Sequence, residues 1–195
     1  EHDSTESYQL EITSKGIVVS APSGAGLFYG FQTLLQLADA DTDGTYTLPL
    51  VDIKDAPRFA YRGLHQDVSR HFRTKEFIKK QIDALAYYKI NRLHLHLTDA
   101  AGWRLEIKKY PLLTEFAAWR TDPTWKQWWN GGRKYVRFDA PGAYGGYYTQ
   151  DDIREILEYA RQHYITVIPE IEMPSHSEEV LAAYPQLSLI HISEP

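Results

Sequence analysis

Polar side chains suited to catalysis follow three predicted strands in succession. These residues are Asp67, Ser69, Arg70, His71, Thr98, Asp99, Glu172, Ser175 and His176. Carboxylates, imidazoles and a guanidinium can transfer protons and hold polar substrates. Because the carboxyl ends of parallel strands lie at one edge of a sheet, where active sites collect, this pattern favours an active site.

Asp99 and two nearby histidines are the most informative of these positions. Asp99 follows residues 93–97 (LHLHL), where apolar and polar side chains alternate. Its carboxylate is expected either to orient a substrate or balance another charge, or to cap the turn over 100–102. His94 and His96 have the spacing of metal ligands on one strand face. Hydrogen-bonded core histidines have the same spacing, and no third ligand is evident nearby.

Arg70, His176 and the tryptophans each allow two interpretations. Arg70 can hold sugar hydroxyls through its fixed donors, or it can form an ion pair with Asp67. His176 can pair with Asp99, or it can be an ordinary surface residue. The tryptophans are Trp103, Trp119, Trp125, Trp128 and Trp129. We expect some to stack on sugars and others, such as Trp103, to be structural.

Periodic patterns place these residues on alternating strands and helices. Strands are predicted over 61–68, 93–97 and 165–173, and helices begin after Thr74 and Thr149. Positions expected to face inward are Phe77, Ile78, Ile82, Leu85, Tyr88, Ile153, Ile156, Leu157 and Ala160. This order indicates an α/β fold with a parallel sheet, either doubly wound or a (β/α)₈ barrel. No glycine-rich phosphate motif follows the first strand, which weakens the dinucleotide-binding version.

The first 57 residues have a different pattern. Strands are predicted over 8–13 and 17–21 around the turn signal at 14–16, followed by an amphipathic helix and a short strand near 48–53. Pro57 then marks a boundary. These elements predict the end of a small α+β domain.

Composition and charge exclude several classes of protein. The 195 residues carry a net charge of −5, are 43% apolar and include no cysteine. A core is therefore feasible, and disulfides and thiolate metal sites are excluded. The scattered basic residues do not form the stripe of a nucleic-acid surface. No apolar run approaches the roughly 20 residues that span a bilayer, so no membrane span is expected.

Several stretches, taken together, resemble glycoside hydrolase family 20, the β-N-acetylhexosaminidases. They are Ala25–Leu34 (AGLFYGFQTL), Arg62–Leu64 (RGL), Asp67–Phe72 (DVSRHF), His94–Asp99 (HLHLTD), Gly102–Arg104 (GWR) and Pro169–His176 (PEIEMPSH). They occur in the family's order and cover the chain from about residue 8 to residue 188. Their combination is much more specific than any one of them, and it weakens the metal interpretation.

The resemblance implies both an architecture and an activity. Residues 1–57 are then the end of a non-catalytic α+β domain, and residues 58–186 are the first three βα units of a partial (β/α)₈ TIM barrel. The protein is expected to hydrolyse non-reducing terminal β-linked N-acetylglucosamine or N-acetylgalactosamine from a glycan, without a metal or other cofactor. A secreted, periplasmic or cell-surface location is implied as well.

The resemblance also implies roles for individual residues. Arg70 would bind hydroxyls of the terminal sugar. Asp99 and His176 would form a pair that supports the catalytic acid, and Glu172 would belong to the same network. In the family's substrate-assisted, retaining mechanism, the acetamido oxygen of the sugar attacks the anomeric carbon, and an Asp–Glu pair after the fourth strand assists it.

Two features depart from the family's pattern, and both ends of the chain have further peculiarities. Ser175 stands where the family usually has glycine, and no Asp–Glu dipeptide occurs in the 195 residues, so the chain alone is expected to be inactive. Residues 187–195 (LSLIHISEP) resemble an adapter-derived, non-native tail, and the start at Glu1 suggests a chain that begins within a gene. Alternative functions are a metal-dependent amidohydrolase that uses His94 and His96, and a non-catalytic carbohydrate-binding protein.

Overall fold

A computed structural model describes residues 5–40 and 42–187. The strands are β1 (Tyr8–Thr13), β2 (Gly16–Ser20), β3 (Asp39–Ala40), β4 (Tyr46–Thr47), β5 (Val51–Asp55), β6 (Gly63–Asp67), β7 (Arg92–His96), β8 (Thr98–Asp99), β9 (Gly102–Trp103), β10 (Trp119–Arg120), β11 (Tyr144–Gly145) and β12 (Thr166–Glu170). The helices are α1 (Gly24–Leu37), α2 (Lys75–Tyr87), α3 (Leu112–Glu115), α4 (Trp125–Asn130), α5 (Gln150–Gln162) and α6 (Glu178–Ala183), and a 3₁₀ turn covers Pro185–Leu187.

The N-terminal part is an antiparallel sheet with one helix against it. Its strand order is β2-β1-β5, and α1 begins at Ser23, whose hydroxyl accepts a hydrogen bond from the Gly26 N–H. Leu10, Ile12 and Tyr29 are buried between the sheet and the helix. The predicted hairpin, helix and final strand are confirmed here.

The second part is a parallel sheet of three strands in the order β6-β7-β12. Helix α2 connects β6 to β7, and α5 precedes β12. Leu93 and Leu95 of β7 pack with Ile82 of α2 and Ile156 of α5 in one apolar core. The predicted parallel sheet with helical crossovers is therefore confirmed.

Both predicted helix caps are present. The Thr74 hydroxyl accepts from the Phe77 N–H at 3.3 Å. Thr149 forms a capping box with Asp152, in which each side chain bonds to the other residue's backbone N–H. The side-chain oxygens satisfy amides that lack a partner in the first helical turn, and this fixes where each helix begins.

Two residues predicted to face inward are exposed instead. Tyr88 is 73% exposed and Leu157 is 44% exposed. Tyr88 is the residue after the last turn of α2, where the helical repeat no longer applies. Leu157 lies one position after buried Ile156, which turns its side chain about 100° around the helix. The third strand also ends at Glu170, before the predicted limit of residue 173.

Polar contacts join the N-terminal sheet to the parallel-sheet part. Lys89, after α2, donates to the Tyr8 hydroxyl at 2.7 Å and to the Thr33 hydroxyl at 2.6 Å. Arg62 forms a 2.8 Å ion pair with Glu6. These contacts join the loop after α2 to β1 and α1, and the residue before β6 to the segment before β1. Within the described ranges, no helix is long and apolar enough to cross a membrane.

Candidate active site

The polar face of the parallel sheet brings ionisable side chains into one row. In the strand register, Asp67 of β6 and Glu170 of β12 both pair with His96 of β7. Residues in register on neighbouring strands point to the same side of a sheet, and side chains two positions apart share a face. The leucines of β7 therefore face the helices, while His94 and His96 face the opposite side.

Asp99 is the centre of the site. Its side chain is nearly buried, and its Oδ2 lies 2.6 Å from Arg70, 3.1 Å from His96 Nε2 and 3.3 Å from His176 Nδ1. The other oxygen, Oδ1, accepts from the Ala100 N–H at 2.7 Å. One oxygen of Asp99 therefore caps the turn and the other balances the charge of Arg70. Contact of Asp99 with a substrate stays a prediction.

Arg70 forms the predicted ion pair with Asp67 and a second ion pair with Asp99, while its contact with sugar hydroxyls stays a prediction. Its guanidinium lies 2.6 Å from Asp67 and 2.6 Å from Asp99, and its side chain is 37% exposed. Burial by itself raises the pKa of Asp67, but hydrogen bonds from the Arg70 side chain and backbone outweigh burial and lower the pKa. Arg70 thus neutralises two carboxylates while part of its surface stays open to a ligand.

Two buried arginines hold the loops that carry Arg70 and Asp99. Arg104 is fully buried and donates to the carbonyl oxygen of Ser69 at 2.6 Å. Arg120 donates to the carbonyl of Arg70 at 2.8 Å and to that of Ala101 at 3.2 Å. Burial lowers the pKa of Arg104 to about 10, so it remains charged at neutral pH. Neither Arg104 nor Arg120 was predicted from the sequence to have this supporting role.

A cluster of three histidines surrounds Glu170. Its Oε2 lies 2.7 Å from His94 Nε2 and 3.3 Å from His65 Nε2, and its Oε1 lies 3.0 Å from His96 Nδ1. Burial by itself raises the pKa of Glu170, but hydrogen bonds with His96, Glu172 and His65 outweigh it and lower the pKa to about 2. Glu170 is therefore a carboxylate at neutral pH, hydrogen-bonded to His65 and within ion-pair distance of His94 and His96.

This cluster supplies a third residue of the metal-ligating kind, which was not evident from the sequence. Atoms of His65, His96 and Glu170 lie within 4.8 Å of one another, close enough for one ion. However, both nitrogens of His96 lie against carboxylates, at Asp99 and Glu170. The Nε2 contact with Asp99 is a hydrogen bond, whereas the Nδ1 contact with Glu170 is an ion-pair distance without hydrogen-bond geometry. An imidazolium held between two carboxylates has no lone pair for a metal, so the contacts favour an ion-paired cluster. The period-two alternation of β6, β7 and β12 was the signal that could have revealed it.

Glu172 and His176 lie in the loop after β12. The Glu172 N–H donates to the Thr98 hydroxyl at 2.8 Å, which joins this loop to the end of β7. His176 is exposed, in contact with Asp99, and has a left-handed backbone with φ of 54°. Ser175 is not among the residues with positive φ in the described ranges, so serine fits this turn without backbone strain.

The tryptophans divide into structural and exposed members. Trp103 and Trp128 are buried. Trp125 and Trp129 are about two-fifths exposed, and their rings stack with centroids 5.2 Å apart. The Arg133 guanidinium lies 4.7 Å from the Trp129 ring. Partly exposed indoles of this kind are suitable for stacking on a sugar, but their contact with substrate stays a prediction.

Glu179 is a buried acid that the sequence analysis did not identify. It lies at the start of α6, is fully buried, and neither carboxylate oxygen has a hydrogen-bond partner among the described residues. Burial, with a smaller contribution from the charge of Asp99, raises its pKa to about 8. Glu179 is therefore neutral at pH 7. Because it lies in α6, next to a loop of the site, only the three-dimensional packing could reveal its burial.

Comparison with known proteins is consistent with this arrangement of charged side chains at the carboxyl end of a parallel sheet. Residues 59–194 match glycosyl hydrolase family 20, catalytic domain, and residues 2–56 match glycosyl hydrolase family 20, domain 2. The chain therefore belongs to glycosyl hydrolase family 20.

Relatives with related names cover almost the whole chain. It is 47% identical to a beta-hexosaminidase of Porphyromonas gingivalis, over 94% of this chain and 22% of the relative. It is 41% identical to the N,N'-diacetylchitobiase of Vibrio harveyi, over 90% of this chain and 20% of that protein. The chain thus spans about a fifth of the length of these relatives.

Solved structures show the same fold. A family 20 exo β-N-acetylglucosaminidase from Vibrio harveyi, in complex with N-acetylglucosamine, aligns with a TM-score of 0.79 and 37% identity, over 93% of this chain and 28% of that one. A Streptomyces plicatus β-hexosaminidase variant in complex with product, GlcNAc, aligns with a TM-score of 0.76 and 36% identity, over 97% of this chain and 36% of that one.

Proposed function

We propose that the protein to which this chain belongs is a β-N-acetylhexosaminidase that removes terminal β-linked N-acetylglucosamine or N-acetylgalactosamine from glycans. The main supporting observation is Asp99, a buried carboxylate at the end of a parallel strand, in contact with Arg70, His96 and His176. Family membership and the names of the relatives support the same activity.

The proposed architecture explains why the site lies at this edge. Residues 58–186 form the first three βα units of a (β/α)₈ barrel, and residues 1–57 end a separate α+β domain. In such barrels the active site lies at the carboxyl ends of the strands, which is the edge at which Asp67, His96 and Glu170 lie in register. The proposed tail over 187–195 lies outside the described residues except for Leu187.

Each predicted residue has a proposed role. Arg70 holds hydroxyls of the terminal sugar with the exposed part of its guanidinium. Asp99 and His176 support the catalytic acid, and Glu172 belongs to the same polar network. As the family resemblance implies, the acetamido group of the substrate is the nucleophile, the anomeric configuration is retained, and an Asp–Glu pair supplies the acid and the residue that orients the acetamido group. Because the 195 residues contain no such dipeptide, we propose that they have no activity alone.

The substrate class is also the basis for the proposed partners and location. A glycan with a terminal N-acetylhexosamine is the proposed partner, and nucleic acid is not. Glycans of this kind are encountered outside the cytoplasm, so we propose a secreted, periplasmic or cell-surface enzyme. Fractionation of source cells, with activity measured in each fraction, tests the location.

The product of the intact gene tests the activity directly. We expect it to hydrolyse p-nitrophenyl N-acetyl-β-glucosaminide or galactosaminide, with retained configuration seen by NMR. The matched control substrate, p-nitrophenyl β-glucoside, lacks the acetamido nucleophile and should turn over at least about 10²-fold more slowly. Equal turnover of both substrates would contradict the mechanism, and loss of activity on exhaustive chelation would favour the metal-dependent alternative.

A further inference from the structure

His96 lies between two carboxylates of different kinds. On one side its Nε2 is 3.1 Å from Asp99, which lies in the loop of the site. On the other side its Nδ1 is 3.0 Å from Glu170, which lies on the neighbouring strand. The His96 side chain is only 7% exposed, so water cannot readily replace either contact.

The two carboxylates differ in how firmly the fold holds them. Glu170 is the last residue of β12 and is in register with His96 of β7, so the strand ladder fixes its backbone. It also lies 2.7 Å from His94. Asp99 instead belongs to the two-residue strand β8, which pairs with β9 at a tight turn. His96 therefore links a rigid acid in the sheet to an acid in a loop.

Arg70 and His96 both contact the same oxygen of Asp99, but only one of these contacts is exchangeable. The Arg70 side chain is 37% exposed, whereas that of His96 is 7% exposed. A ligand that accepts hydrogen bonds from Arg70 competes with Asp99 for the guanidinium. The buried contact with His96 is not accessible to such a ligand.

We propose that His96 is a positioning residue for Asp99, held in place by Glu170. This inference rests on the proposed function, because it assigns Arg70 to the sugar and Asp99 to the support of the acid. When the sugar occupies Arg70, the charged bridge from Glu170 through His96 keeps Asp99 Oδ2 in place and directed at His176. Such preorganisation matters because a small displacement of a catalytic group has a large effect on rate.

The charges around His96 are consistent with an imidazolium at this position. Facing it are His65 and Asp67 of β6, His94 of its own strand, Glu170 and Glu172 at the end of β12, and Asp99, Arg70 and His176 in the loops. Burial by itself lowers the pKa of His96, but the adjacent carboxylates of Glu170 and Asp99 outweigh it and raise the pKa. The four carboxylates outnumber the one guanidinium, which also favours a cation.

The kinetic test compares His96→Gln and Glu170→Gln in the intact protein. We expect each to lower kcat about 30-fold, which corresponds to roughly 2 kcal/mol, with KM within about threefold of wild type. The double variant should lose little more than either single one, since both remove the same bridge. His163→Gln is the matched control, because His163 pairs with Asp83 on the outer helices, and it should leave kcat unchanged.

A second measurement does not depend on activity. Nitrogen-15 NMR of histidine-labelled protein should show both ring nitrogens of His96 protonated, and crystals of His96→Gln should show Asp99 rotated away from His176. If both results are obtained but the wild type lacks hexosaminidase activity, the positioning role of His96 is supported and the proposed function is wrong. If the wild type is active and His96→Gln retains its full kcat, or Glu170→Gln does so while His96→Gln does not, the positioning role through Glu170 is wrong.

Discussion

The N-terminal sheet and the parallel sheet differ in the types of side chain that they bury. In the first, the large buried side chains are Tyr8, Leu10, Ile12 and Tyr29, which pack without a buried charge. In the described ranges, the residues classed as buried and polar or charged all lie between Ser69 and Glu179. An unpaired buried charge costs free energy, so we infer that the buried charges of the second region serve its function. The difference distinguishes a region that folds from a region that also acts.

The largest expected effect concerns Asp99 and tests whether the buried charges serve catalysis. In the intact protein, Asp99→Asn should lower kcat about 10³-fold and change KM much less, because its support of the acid acts mainly in the transition state. Arg70→Ala should instead raise KM and lower kcat, because it contacts the reacting sugar throughout. Steady-state kinetics measures both constants. The reverse pattern would show that the two roles have been exchanged.

Arg104 tests whether the buried charges also hold the fold. Arg104→Met should lower the free energy of unfolding by about 4 kcal/mol, because it leaves buried carbonyls, among them those of Ser69 and Gly146, without their donor. Urea denaturation of the intact protein measures the change. Arg154→Met is the control, since Arg154 forms an exposed ion pair, and it should change stability by less than about 0.5 kcal/mol. Equal effects would contradict the structural role of Arg104.

Glu179 gives a prediction that depends on pH. Its folded pKa of about 8 lies above the reference value of 4.5, so the folded protein retains a proton that the unfolded chain releases. The free energy of unfolding of wild type should therefore fall, relative to that of Glu179→Gln, as pH rises from about 4.5 to about 8. At pH 7 this loss, counted from its value at low pH, should be about 3 kcal/mol. Urea midpoints across this range measure the difference. A difference that does not change with pH would mean that Glu179 is ionised and paired.

The smallest expected effect comes from a matched pair of apolar substitutions, one in each region. Ile12→Val in the N-terminal sheet and Ile156→Val beside the parallel sheet remove the same methylene from buried positions. Each should cost about 1 kcal/mol, with kcat unchanged in both, since neither residue contacts the polar face. The effects of substitution on kcat should differ between the two regions only when charged residues are replaced. A loss of kcat for Ile156→Val alone would show that a change in apolar packing alters the site.

The sequence predicted the elements better than their contacts. Thr74 and Thr149 cap helices as expected, because a capping side chain bonds within its own first turn. Tyr88 was misassigned because α2 ends before it, and Leu157 because the apolar stripe read from the sequence was wider than the packed one. Arg120 could not be identified as a support of Arg70, since that contact depends on the path of a connection fifty residues long. The roles assigned to Arg70, Asp99, Glu172 and His176 stay predictions.

The order of the parallel strands has a consequence for synthesis on the ribosome. Each strand pairs with the one made before it, so β7 finds β6 already present when it emerges. Its second partner comes much later, because Arg92 and Thr166 are 74 positions apart. At roughly 5–20 residues per second, the outer edge of β7 waits about 4 to 15 seconds with open N–H and C=O groups. During this interval that edge is open to wrong pairing, and a chaperone that protects it would have to act within the same interval.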